Sequence, residues 1–537
     1  MILASGLLAL LACGPAFTQE PVADKRMFKA HLSFLADDML EGRETGSRGY
    51  DIAAHYVASQ FMQYGLSPKG DQGSFQQSVP LMSTLLAPES PRVELIGKSG
   101  KEALTYLEDF STGGSLLEDR SEVTAPLVFI GYGIQAERFK HDDYANIDVK
   151  GKIVVILGGK PSSFPTEEGA HFGNRELKLE IAAKHGAVGM VTLQTPRGEK
   201  VFPFAMAKQY RFIPRMGWLG PKGIPTDEPP SMQNRINLSL AASRKLFAQV
   251  ETRFDDIYAM AEANKPLPRM DLNLSMHMSK QSKRVELKSS NVVGMIEGSD
   301  PQLKNEYVVY TAHLDHLGVV KERTGDNIFN GAMDNASGVA TLIETARMFG
   351  ELKVKPKRSI LFIAVTGEEK GLLGSDYFAH NPTVPQAAMV ANVNLDMPML
   401  TFDFKNVIAF GAQHSSLKDS VTSAAQKVGL ELMGDPWPEQ GLFTRSDHYM
   451  FVKQGIPSVF LVTGMGSFNK DEKPADRWGE FFARHYHKPS DDMNQVFNFD
   501  AAARFAQVNY SIALEIANAK ERPSWNKGNF FGDTFKK

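Results

Sequence analysis

The 537-residue chain has one cysteine, Cys13, and almost no charge imbalance: 59 Lys and Arg against 62 Asp and Glu leave a net charge of −3. A lone cysteine excludes an intramolecular disulfide framework and any Cys-based structural zinc site. A metal centre would have to be built from histidine and carboxylates. The near-neutral balance gives no electrostatic footprint for nucleic acid. Long apolar runs are also missing: beyond the N-terminus, no stretch is long and apolar enough to span a bilayer. What is present, 42% hydrophobic and 23% charged residues, fits a soluble globular protein. The length implies two or three domains.

The N-terminus reads MILASGLLALLACGPAFTQEP. Its apolar run, Ile2 to Ala12, is too short for a membrane span and resembles the h-region of a secretory signal, although the usual positive n-region is absent. Leu10-Leu11-Ala12-Cys13 also resembles a lipobox, whose cysteine is acylated and becomes the mature N-terminus. The alternatives are cleavage near Thr18, which leaves no cysteine, and a buried N-terminal helix. The expectation is export to the periplasm or the exterior, with or without a lipid anchor on Cys13, and residues 1–18 as the signal.

Helical spacing runs from Ala23 to about Gly65, through Phe28, Leu32, Leu35 and Leu40 and then Ala53, Tyr56, Val57 and Phe61. Leu66 to Val79 reads as a loop entering a strand. From 111 to 279 the texture changes. Short Gly-bounded, β-branched runs at 125–133 and 151–158 predict strands, 177–185 a helix and 187–193 a strand, and six prolines between 203 and 230 predict a loop-rich stretch. This reads as a small separate α/β module. From about Val285, strands at 308–313, 359–366, 389–396, 407–410 and 458–462 alternate with helices at 336–349, 375–380, 417–428 and 501–519. That alternation predicts an α/β domain with a mixed, largely parallel sheet flanked by helices. The divisions expected are 24–110 and 280–537 for the main domain and 111–279 for the insert.

Sites in open α/β sheets form beyond the C-terminal strand ends, and polar residues collect there in this chain. The strand VVYTAHLDH ends in His313 and Asp315, two apart and so expected on one face, where a carboxylate can fix an imidazole's tautomer. Asp334 precedes an apolar helix. SILFIAVTG runs into Glu368-Glu369, a pair that can divide metal binding from proton transfer. MVANVNLDMP ends in Asp396, and HYHKPSDD offers His485 and His487. Taken singly, each has a plainer explanation: a satisfied surface histidine, a helix N-cap, a solvated acidic pair, a turn aspartate before Pro398. Together, His313, Asp334, Glu369, Asp396 and His487 form an N/O ligand set suited to zinc, with cobalt or manganese chemically compatible. Five ligands are too many for one catalytic zinc. Two zincs sharing a carboxylate would each have about three protein ligands.

AHLDH, GAMDNASGVATLIETAR, VTGEEKGLLGS, NLDMP and YHKPSDD occur in the order found in the co-catalytic di-zinc exopeptidases, the family of bacterial leucyl aminopeptidases and glutamate carboxypeptidase II, which this chain resembles over about 285–537 and the helices of 24–90. APLVFIGYGI, DDYANIDVKGKIVVIL and AAKHGAVGMVTL resemble a protease-associated (PA) domain, well matched to about Leu193. The resemblance implies a zinc-dependent aminopeptidase acting on peptides, with two Zn2+ per chain. It implies that His313 and Asp396 bind one zinc, that Glu369 and His487 bind the other and that Asp334 bridges them. Glu368 is implied as general base, and Asp315 as the residue that orients His313.

Ser446-Asp447-His448 has the letters of a catalytic triad without the separation one requires, and resembles a family element near the substrate pocket. His316 and His485 are expected beside the ligands or at the surface. A carboxypeptidase of the same family would need cationic groups for a substrate carboxylate, with Arg445 a candidate. A surface binding protein on this fold and a glutaminyl-cyclase-like enzyme are the further alternatives.

Overall fold

The computed structural model describes residues 20–536, apart from Asp227, Gln233 and Glu322. The apolar run and Cys13 therefore lie outside the described residues. Among the described residues, no helix is long and apolar enough to cross a membrane.

Tyr307–His313, Ser359–Val365 and Met389–Leu395 are near-continuous apolar runs, and each is buried along almost its whole length. Strands of that composition need cover on both faces, as parallel strands have in α/β domains. Tyr307–His313 lies between the other two and pairs in parallel with both. On one side the sheet continues from Met389–Leu395 through parallel Ser458–Thr463 to antiparallel Asn406–Phe410 and then Glu431–Met433. On the other side, Ser359–Val365 pairs antiparallel with the end of Met270–Ile296, followed by Gln76–Leu86 and Arg215–Trp218.

Period-2 alternation divides the side chains between two cores. Tyr310 and Phe362 join Phe349 and Tyr510 under the helices Lys25–Leu35, Ser337–Glu351 and Phe499–Asn518. Val309, Leu361 and Ile363 join Phe378 and Phe451, from the helices Leu373–His380 and His448–Val452, on the opposite face. The fold is thus the mixed, largely parallel α/β sheet flanked by helices that the alternation predicts.

A second sheet is built around the first half of Met270–Ile296. Arg92–Gly97 and Arg120–Phe129 pair with it antiparallel, and Ile153–Leu157, Gly189–Leu193 and Asn234–Leu238 follow in parallel. Met270–Ile296 is one strand of 27 residues. Up to Gln281 it pairs with Arg120–Phe129, and from Ser282 onward with Gln76–Leu86. It thus passes without a break through residues 279 and 280, where the sequence places a division, and ties the two sheets together.

The stretch expected to be loop-rich holds more structure than prolines suggest. Ala207–Tyr210 is a short helix. Arg215–Trp218 is a strand added to the edge of the main sheet.

Candidate metal centre

The predicted residues gather at the C-terminal ends of the parallel strands. His313 is the last residue of its strand, and Asp396 follows Leu395 directly. Asp334 lies in the turn of helix Ala332–Ala336, ahead of Ser337–Glu351, and the Asp334–Asn335 peptide is cis. Glu368 and Glu369 follow Ser359–Val365. His487 comes from the loop after Pro474–Arg484, with a left-handed φ of 54° that non-glycine residues seldom adopt.

His313 Nε2 lies 3.3 Å from Asp334 Oδ1 and 3.2 Å from Asp396 Oδ1. His487 Nε2 lies 3.3 Å from Asp334 Oδ2 and 3.2 Å from Glu369 Oε2. The two oxygens of Asp334 therefore face two separate His–carboxylate pairs. Charge-assisted N–H···O bonds are shorter, about 2.7–2.9 Å. Around a tetrahedral cation with bonds of about 2.0–2.1 Å, neighbouring ligand atoms sit roughly 3.3 Å apart. The observed separations match such an edge better than a direct ion pair. Ligand atoms of His313, Asp334 and Asp396 all lie within 4.8 Å of one another, as do those of His316, Asp334 and Glu369.

The charge inventory also fits a cation. Asp315, Asp334, Glu368, Glu369, Asp396, Asp447 and Asp491 crowd this region, and Arg43 is the buried arginine whose charge reaches Asp315, Asp334, Glu369 and Asp491. His316 Nε2 and both oxygens of Asp447 are buried without hydrogen-bond partners among the described residues. Orphans of that kind are rare in native interiors unless an ion or water completes them. The residues present thus suit divalent cations with N/O coordination, zinc among them.

Burial pushes the Glu368 carboxyl well above its usual range, with Asp396, Glu369 and Asp447 adding to it against the opposing charge of His313. Burial would also raise Glu369, but His487 and His316 hold it well below. Burial opposes a charge on His313, yet Asp396 and Glu368 hold that imidazole well above its usual range.

Asp315 departs from the expected contact. The His313 ring meets its main-chain carbonyl, Nδ1 to O 3.1 Å. Its carboxylate instead accepts the Glu368 and Glu369 amides at 3.1 and 3.3 Å and the Thr45 hydroxyl at 3.1 Å. It anchors the turn that carries both glutamates, because strand geometry ends at His313 and no longer fixes where Asp315 points. His316 is fully buried, with Nδ1 2.7 Å from Glu369 Oε1 and off-line for a hydrogen bond. His485 instead binds Ser490 within its own loop. Arg445 is exposed, and its charge acts on Tyr486, whose ring stacks on His487 with centroids 3.9 Å apart.

Several supporting residues escaped sequence reasoning. Ser446, expected only near the substrate pocket, donates to Asp396 Oδ2 at 2.7 Å and accepts from Asn394 at 2.7 Å. Asp491 accepts the amides of Met333 and Asp334 at 2.9 and 3.0 Å. Asn335 donates to Leu395 O at 2.8 Å and accepts from Gly338 N at 3.0 Å and Met397 N at 3.2 Å, binding two ligand-bearing loops to one helix start. The Arg43 guanidinium reaches the carbonyls of Leu35, Leu314, Asn330 and Gly331, and burial draws it down to about 10. The acid of the HKPSDD run was the available signal for Asp491. Arg43 leaves none, since its partners are main-chain carbonyls, most of them far away in sequence.

Residues 291–513 match the model of Peptidase family M28, and residues 123–217 that of the PA domain. Over these residues the chain is similar to M28 peptidases and to PA domains, the PA-like segment preceding the M28-like one. Among similar proteins are a "Probable zinc metalloprotease" of Pyrenophora tritici-repentis (strain Pt-1C-BFP), 27% identical over 36% of this chain and 50% of its own, and "Aminopeptidase YwaD" of Bacillus subtilis (strain 168), 28% identical over 39% and 40%. The chain spans half or less of the length of these curated relatives. Among solved structures, "Aminopeptidase from Aneurinibacillus sp. strain AM-1" shares the fold, with a TM-score of 0.54, 20% identity and coverage of 93% of this chain and 95% of its own.

Proposed function

We propose that the chain is a zinc-dependent aminopeptidase that removes N-terminal residues from peptides. In this reading, His313 and Asp396 would hold one of two zincs and Glu369 and His487 the other, with Asp334 a ligand to both. The observation that carries it is Asp334, with each oxygen turned to a different His–carboxylate pair. Bound zinc supplies Lewis acidity toward the scissile carbonyl and acidifies water. Glu368, half-buried and within reach of the charges of His313 and Asp396, accepts the proton of the attacking water and returns it to the leaving amine. Asp315 fixes the backbone from which Glu368 projects, and Ser446 and Asn335 hold the loop of Asp396. The similar proteins named for aminopeptidase activity support the amino-terminal direction.

We propose 24–110 and 280–537 for the peptidase body and 111–279 for the insert, the two exchanging edge strands: Arg92–Gly97 pairs into the insert's sheet and Arg215–Trp218 into the body's. The N-terminal run is read as an export signal; an acylated Cys13 in the mature protein would establish a lipid anchor, and a start near Gln19 would reject it.

The test is digestion of a mixed, unblocked peptide pool by zinc-loaded protein, followed by mass spectrometry. Loss of residues from the amino end is expected. Trimming from the carboxyl end would assign a carboxypeptidase. Absence of trimming by protein holding two zincs would reject the exopeptidase reading in favour of a binding role.

A further inference from the structure

A cavity of about 190 Å³ lies between the PA-domain strands and the edge of the main sheet, and Arg175, Arg211, Arg215 and Arg235 all line it. Like charges do not collect around a cavity without a counter-charge. The described carboxylates account for only part of it. Arg175 pairs with Glu176 at 3.1 Å and Arg215 with Glu228 at 3.1 Å. Arg211 is exposed and, among the described residues, donates to the main-chain carbonyl of Lys208. Arg235 Nη1 is buried and has no hydrogen-bond partner among the described residues, although the charges of Glu176 and Glu228 reach it against those of Arg175 and Arg215. Lys280, also buried, donates to Gly113 O beside the same cavity at 3.0 Å. The cavity is not remote from the candidate metal centre. Tyr210 lines it and places its hydroxyl 3.5 Å from His487 Nδ1.

We infer that this cavity is a carboxylate-binding subsite, in which Arg235 and Arg211, supported by Arg175 and Arg215, receive an acidic group presented next to the metal centre. Planar guanidinium groups recognise carboxylates through paired N–H donors. The volume lies below the ~300–1,000 Å³ of drug-sized pockets, so it takes a small acidic group rather than a bulky one. Such a group comes either from the peptide, as an acidic side chain or a C-terminal carboxylate, or from a free small carboxylate. The inference rests on the peptidase reading for its substrate.

The experiment uses zinc-loaded full chain and a matched series of short peptides. Glutamate or glutamine stands at each position in turn, and the C-terminus is either free or amidated. We expect glutamate over glutamine, or free acid over amide, to raise kcat/KM on the order of tenfold or more at one position. That ratio should collapse toward one in Arg235→Met and in the double variant Arg175→Gln/Arg211→Gln, whose exposed positions guard against a misfolded Arg235 variant. Succinate titrated by calorimetry separates the sources. Succinate binding lost in both variants without any peptide preference supports the site and assigns it to a free carboxylate. If no peptide is cleaved, the peptidase reading falls and the succinate titration alone decides the subsite. No preference at any position, with succinate binding either absent or equal in wild type and variants, overturns the inference.

Discussion

Glu368 and Glu369 are neighbours in sequence with opposite electrostatic fates. Burial raises the first, while His487 and His316 lower the second. Separation of this kind lets one carboxyl handle protons while the other stays ionised as a ligand. Replacing Glu368 by glutamine keeps the shape and removes the proton acceptor. Glu368→Gln should therefore keep its zinc, measured by elemental analysis, while kcat falls by about 10²–10⁴; near-normal turnover would refute the role. Asp334→Asn weakens the oxygens facing both His–carboxylate pairs at once. It should hold fewer than two zincs per chain, and full occupancy would refute the bridge. At this scale the sequence was legible where chemistry restricts residue type: imidazoles and acids at strand ends stand out because few other roles put them there. It was not legible for Arg43, Asn335 and Ser446. A buried arginine that binds four carbonyls looks in the sequence like any other arginine.

The elements position these residues through close approach of main chain. Gly338 opens the helix Ser337–Glu351, and a Cβ there would stand 2.1 Å from Asn335 Oδ1 and 2.7 Å from Leu395 O. Gly338→Ala must therefore push the helix start away from the strand that delivers Asp396. We expect a loss of about 1–3 kcal/mol or more, read by urea denaturation, together with reduced zinc content; unchanged stability would show that the loop yields freely. A different dependence arises from two buried histidines in the helices that cover the sheet. Burial lowers the His31 imidazole to about 4, with Arg347 adding to it, and burial lowers His448 to about 3. The unfolded chain protonates them near 6.5, so below that pH it binds more protons than the native state. Stability should fall with falling pH by about 1.4 kcal/mol per unit for each histidine, levelling as the native pKa is passed. Between pH 7 and pH 5, His31→Gln should lose about 2 kcal/mol less than wild type; an equal loss would refute the assignment. Element types and order were legible because buried parallel strands and amphipathic helices have distinct periods. Arg215–Trp218 was not, because a four-residue strand among prolines acquires its identity from the edge it joins.

At the scale of the whole molecule, the candidate metal centre is a concentration of buried negative charge that folding alone leaves poorly compensated. Two like charges about 4 Å apart repel by about 4 kcal/mol at an effective dielectric of 20. Zinc at a thousand times its Kd would add about 4 kcal/mol of stability. Calorimetry before and after chelation should show Tm falling by several degrees, with recovery on adding zinc back. A Tm indifferent to the chelator would argue against a built-in cation site. The α/β alternation and the insert were both legible in the sequence. The union of the two sheets was not, since no local pattern reveals that one strand will serve both.

That shared strand sets a schedule. Gln76–Leu86 has its partner in the second half of Met270–Ile296, roughly 200 residues later, and non-local pairing of this kind slows folding. At synthesis rates of about 5–20 residues per second, the early strand waits roughly 10–40 s for the late one. The inserted domain fills the interval, and closing its own sheet on Met270–Gln281 delivers the remainder of that strand to the waiting edge. A lesion confined to the PA sheet, which holds none of the candidate metal ligands, is therefore expected to show itself first as aggregated protein.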